Sequence, residues 1–235
     1  ERGDRLPDFS FAGYMAGDDS IPDVAARVRV PRQDGDATSA IQAALDYVGS
    51  LSPGPGGFRG TVLLAPGVYH LSGRLSMRAS GVVLRGSGMG KGGTTLVAGG
   101  VSRATLIRVE GTHDISEGKA IHVTDAYVPV GTATLHVADP GAFHAGDSVI
   151  VTRPCTEAWI RELDMIDFGG QSGWLGWKPG DEDIHWDRKI LKVSGDALTL
   201  DVPLTTSLDS AYGGGTVAVY HWPGRISRVG IENLH

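Results

Sequence analysis

The chain has 235 residues, about 41% of them hydrophobic, which excludes a disordered polymer and leaves room for a substantial core. Its 35 glycines follow no Gly-X-Y period, so collagen is excluded. The formal net charge of −6 argues against nucleic acid or an anionic membrane surface as partner, and no apolar run is long enough to span a bilayer.

Residues 1–35 read as an irregular N-terminal arm in which Phe9, Phe11 and Tyr14 tack an extended segment onto a larger body. No signal-peptide pattern is seen, the start at Glu1 fits a processed or a recombinant mature form, and a secreted or periplasmic location is expected. The run DGDATSAIQAALDYVGSL then predicts a helix starting near Asp36 or Thr38, either of which can accept from first-turn N–H groups. Ala37, Ile41, Ala44, Leu45 and Val48 recur at steps of three and four and give it one apolar face. Gly49 and the following SPGPGG stop it.

Short strands dominate from there. Thr61–Leu64, a Pro66-Gly67 turn, Val68–Leu71 and Val82–Leu84 alternate strand with turn, and TTLVAGG and ATLIRVEG repeat the pattern. A short strand and a glycine turn recurring about every 20 residues is the mark of a solenoid. GSGMGKGG lacks the phosphate-loop pattern, because Lys91 precedes Gly92 and no helix opens there. Two later segments read as strand–turn–strand: Leu135 and Val137 with Val149 and Val151, and RKILKVSGDALTLDVPL about the turn at Ser194–Asp196. RISRVGIENL matches one more solenoid coil. The pattern is still running at His235, so the rest of the β-helix is expected as a second polypeptide, as further sequence, or as a partner that covers the end.

Residues 153–189 stand apart. They hold Trp159, Trp174, Trp177 and Trp186 among many carboxylates, with little periodicity beyond a short helix at 156–167. They are expected to form an inserted lobe bordering a groove.

GDATSAIQAALDYV, GTVLLAPGVYHLSGRLSM and GVVLRGSGMGKGGTTL together resemble the opening of pectate-lyase-like β-helix proteins, most strongly over residues 34–97. VPVGTATLHVADPGAFHAGDSVIV through YHWPGRISRVGIENL is similar to bacterial members of the same superfamily. The resemblance implies an all-β, right-handed parallel β-helix with a short N-terminal capping helix, here spanning 36–235. It implies chemistry on carbohydrate, with catalytic residues largely beyond residue 235 and no single enzyme family indicated.

Cleavage of a glycosidic bond needs two carboxyl groups, or a base with a cationic partner; calcium is the one cation left open, and no resident metal or other cofactor is expected. Asp164 and Asp167 share a face if their segment is helical, and Asp181, Asp183, His185 and Asp187 point one way if theirs is extended. The candidate saccharide-binding residues are Trp174, Trp177, Trp186, His221, Trp222 and Arg225: indoles stack on sugar faces, arginine pairs with sugar carboxylates, and histidine donates or accepts. The expected function is secreted cleavage of a polysaccharide by a lyase or glycoside hydrolase. The competing reading is a non-enzymatic carbohydrate-binding or structural β-helix such as a tailspike-like adhesin.

Overall fold

The computed structural model describes residues 2–100, 103–170 and 175–235. Contacts divide the chain into two compact units, one of residues 1–20 with 115–221, the other of residues 21–114 with 222–235. This differs from the expected arm, solenoid and 153–189 lobe.

The second unit begins with β1 (Ala26–Val30) and α1 (Thr38–Ser50), followed by β2 (Gly60–Leu64), β3 (Gly67–Leu71) and β4 (Leu75–Met77), then β5 (Val82–Arg85), β6 (Thr94–Ala98) and β7 (Ile107–Val109). β1–β2–β5 form one parallel ladder, β3–β6 a second and β4–β7 a third. Each turn of chain therefore lays its three strands on those of the turn before, as a solenoid does. Gly60 pairs with Val82 and Gly67 with Thr94, so the repeat lengthens along the coil as the turns between strands grow.

β1 lies inside the stretch expected to be an arm. The signal was the alternation in Ala26–Val30, where Val30 is buried while Arg27 and Arg29 are exposed.

Helix α1 buries Ile41, Ala44, Leu45 and Val48, the predicted face, and packs on β1, β2, β4 and β5. Asp36 organises its start. The carboxylate accepts from the Ser72 hydroxyl and the Thr38 hydroxyl and from the Ser72 and Thr38 N–H groups, and these bonds hold it well below the usual carboxylate range. The core adds Val62, Leu64, Leu71, Leu75 and Leu84, with Tyr69 sealed among them and its hydroxyl 3.0 Å from the Val30 and Ala65 carbonyl oxygens.

The chain then builds the first unit from β8 (Ser116–Glu117), β9 (Ile121–His122), β10 (Tyr127–Val128), β11 (Thr134–His136), β12 (Ser148–Arg153), β13 (Ile184–Ser194), β14 (Ala197–Leu200), β15 (Leu208–Asp209) and β16 (Thr216–His221), with α2 (Glu157–Glu162) between β12 and β13. Every pairing here is antiparallel, in the order β11–β14–β13–β12–β16–β8, with β9 also on β16 and β10 on β15. The predicted β13–β14 hairpin forms, but β11 and β12 do not pair with each other. The tight hairpin sits between them, since a short turn closes more readily than the longer 137–147 connection with its 3-10 turn at Pro140–Ala142. The core here holds Leu135, Val149, Val151, Trp186, Ile190, Leu198 and Val217. Residues 2–5 join this unit: Asp4 accepts from the Tyr127 hydroxyl and the Val130 N–H, and Arg2 pairs with Asp209.

The chain returns to the second unit as β17 (Gly230–Glu232), parallel to β5 as the predicted further coil, with Arg85 ion-paired to Glu232. His235 continues onto β6 by donating to the Thr94 carbonyl and accepting from the Leu96 N–H. No described helix is long and apolar enough to cross a membrane.

One titrating pair in the antiparallel unit has a testable consequence. His136 Nδ1 lies 2.8 Å from Asp125 Oδ1, and Asp125 Oδ2 accepts the His136 backbone N–H. The hydrogen bond, then the carboxylate's charge, raises the imidazole above its usual value. The folded state therefore holds this proton more tightly than the unfolded chain. The stabilisation is complete below about pH 6.5 and is lost as pH rises through the folded value. Urea midpoints should fall as pH rises above about 6.5. His136→Asn should flatten that slope; an unchanged slope would remove the pair from the account.

Candidate functional site

The predicted saccharide contacts that the structure describes divide between the two units. Trp186 is 6% exposed within the antiparallel core, opposite Val151, and its indole N–H donates to Thr205 Oγ1 at 2.9 Å. That burial removes it from the binding set: position 186 falls in the core-facing register of β13, and an indole there has no face left for a sugar. Trp177 is half-buried, with its backbone N–H on the Met165 carbonyl. Trp174 lies outside the described residues. His221 is exposed at the end of β16, paired with Ser116.

The carboxylates of this region have structural partners. α2 ends at Glu162 and Asp164 has φ +56°, so Asp164 and Asp167 do not share a helix face. Of the alternating set, only His185 and Asp187 lie in β13. Asp181 accepts from the Lys178 N–H, Asp183 from the Cys155 N–H and Asp187 from the Tyr220 hydroxyl. Among the described residues no three His, Cys, Asp or Glu side chains converge to hold a metal.

Trp222 and Arg225 do come together, in the solenoid unit. Trp222-Pro223-Gly224-Arg225 is a turn closed by the Arg225 N–H on the Trp222 carbonyl, with proline preset at its second position. The segment after β7 clamps it. Thr112 N–H donates to the Gly224 carbonyl at 3.1 Å, Gly224 N–H to Asp114 Oδ1 at 2.8 Å, and the Trp222 indole N–H to the Thr112 carbonyl at 2.7 Å. With its N–H committed, half-buried Trp222 offers its ring. The Arg225 guanidinium sits 5.5 Å from that ring and the His113 imidazole meets it edge-on at 6.2 Å.

Val109, Glu110, Gly111, His113, Trp222, Arg225 and Ile226 line a cavity of about 430 Å³. Arg78 and Arg108 each approach the Glu110 carboxylate at 3.3 Å. The site thus combines an aromatic face, the Arg225 cation, the Glu110 carboxylate and an imidazole in one concavity. Glu110 and His113 were missed from sequence because the contact joining them to Trp222 spans a hundred residues and leaves no local pattern.

No protein-family model and no curated protein matches this chain. Among solved structures it is similar to the tailspike gp61 of Pseudomonas phage phi297, at 20% identity and a TM-score of 0.43, over 84% of this chain and 26% of that one. The tailspike protein gp49 of Pseudomonas phage LKA1 matches at 17% identity and a TM-score of 0.40, over 83% and 27%. The gp54 tailspike of Acinetobacter baumannii bacteriophage AP22, solved with A. baumannii capsular saccharide, matches at 9% identity and a TM-score of 0.38, over 85% and 28%. The chain therefore spans about a quarter of the length of these tailspike chains.

Proposed function

We propose that this chain belongs to a secreted β-helical protein that binds a polysaccharide as a tailspike-like adhesin does, with the Trp222 cavity as a saccharide contact. On this reading it is a member of the pectate-lyase-like superfamily. The observation that carries the reading is an indole whose N–H is spent on the backbone and whose ring lines a cavity beside an arginine, an imidazole and a carboxylate. A sugar ring presents C–H groups to an aromatic face and hydroxyls to flanking donors and acceptors, which this set matches. Titrating a panel of neutral and acidic oligosaccharides, followed by backbone amide chemical shifts of residues 109–114, 222 and 224–226, tests it. Trp222→Ala should weaken the tightest ligand by about tenfold or more. Binding undiminished in this variant would place the contact elsewhere.

Cleavage of the bound saccharide is the second reading, favoured by Glu110 and His113 lining the same cavity. Its assay is the appearance of unsaturated uronate or reducing ends from the same panel. Loss of product with Glu110→Gln and His113→Ala at retained binding is the expected signature.

A further inference from the structure

Arg153 occupies a position built for an apolar side chain. Along β12 the buried residues are Val149, Val151 and Arg153, alternating with exposed or half-buried neighbours. Arg153 thus continues the core-facing row and is 7% exposed. Its guanidinium carbon lies 3.9 Å from the centroid of the Trp159 ring, and Tyr212 meets that indole edge-on at 5.3 Å and 69°.

The cation has an aromatic floor and, among the described residues, no carboxylate and no hydrogen-bond acceptor paired with it. The contrast with Arg188 in the same unit is direct. Arg188 gives its N–H groups to the carbonyls of Val202, Pro203 and Asp187, a structural arginine satisfied by backbone. No described side-chain nitrogen is both sealed from solvent and unpaired, so the Arg153 donors face the small opening that its residual exposure provides. A desolvated charge without an acceptor is costly, and a guanidinium stacked by its face keeps its donor edge directed outward. Burial pulls the group below the ordinary arginine value, and the nearby Cys155 only partly opposes it.

We propose that the Arg153 edge, stacked on Trp159, is an oxyanion site that takes a carboxylate or phosphate group in bidentate fashion. This site is separate from the Trp222 cavity and does not rest on the saccharide reading. The planar fork of arginine matches two oxygens of either group, and ring stacking holds the fork in place before the anion arrives. The two sources of the chemistry are a sugar acid and free phosphate.

The test uses the whole chain with sodium glucuronate, acetate, inorganic phosphate and chloride at equal ionic strength. It follows the Arg153 Nε–Hε resonance and the melting temperature. The expected result is a saturable shift of that resonance with at least one oxyanion and not with chloride. A tenfold excess over Kd should raise Tm by about 3–6 °C. Glucuronate and acetate acting without phosphate identify a sugar-acid site; phosphate acting alone identifies a phosphate site. Arg153→Met should abolish the response. Arg153→Lys, which keeps the charge and loses the fork, should reduce it at least several-fold. An equal response to chloride, an unmoved Nε–Hε resonance with every oxyanion, or an undiminished Tm rise in Arg153→Met overturns the proposal. The resonance in the unsubstituted chain decides the matter if the Met variant does not fold.

Discussion

Trp186→Ala should cost about 3–5 kcal/mol of stability, the loss typical of removing a large buried aromatic. The side chain is 6% exposed and packs among Val151, Ile190, Leu198, Leu200 and Val217, and its indole N–H is satisfied by Thr205. Truncation leaves a cavity that strands β12 and β13 cannot close, because each is held by antiparallel ladders on both sides. For a chain of this length the loss corresponds to a fall in Tm of roughly 6–20 °C, readable by calorimetry. Trp186→Phe keeps most of the ring and loses the hydrogen bond, so it should cost about 1–2 kcal/mol. Saccharide binding by the Phe variant should be unchanged. A Trp186→Ala protein of nearly native stability that no longer binds saccharide would return this residue to the ligand contacts.

The contrast between Trp186 and Trp222 shows what the sequence carries and what it does not. Both are tryptophans near strand ends, and by residue type both are equally fit to stack on sugar. Position 186 is buried because β13 places it opposite Val151, a pairing set between strands more than thirty residues apart. Where the informative pattern is local, it was legible. The apolar stripe of α1 lies within thirteen residues, and β2, β3, β5 and β6 announce themselves because each strand is followed by its own turn. β17 was legible for the same reason.

The strand pairings of the antiparallel unit were legible only in its tight hairpin. Its other partners are distant: β12 pairs with β16 across more than sixty residues, and no local period encodes that choice. Strand β1 was within reach, but its alternation of Arg27 and Arg29 with valines was outweighed by the surrounding glycine, proline and aspartate. The Trp222 cavity was half legible. Trp222 and Arg225 share one turn, whereas Glu110 and His113 arrive from the segment after β7.

That junction gives the second large effect. A Cβ on Gly111 would stand 1.9 Å from the Gly224 carbonyl oxygen and 3.2 Å from the Ile226 nitrogen, both rigid backbone. Gly224 is equally confined, its Cβ direction meeting the Thr112 Cβ at 2.6 Å and the Thr112 oxygen at 2.7 Å. Only glycine at both positions lets the two segments meet. Gly111→Ala should therefore drive the Trp222–Arg225 turn away from residues 111–114. Three hydrogen bonds are lost together: Thr112 to Gly224, Gly224 to Asp114, and the indole to Thr112. The expected cost is about 2–4 kcal/mol in urea unfolding. Saccharide affinity should fall by at least as much as in Trp222→Ala, because ring, arginine and imidazole all leave their places. Gly90→Ala is the matched control: a Cβ there meets nothing within 4 Å, and its stability should stay within about 0.5 kcal/mol of the parent. If Gly111→Ala behaves like that control in both unfolding and binding, the close approach does not form the site.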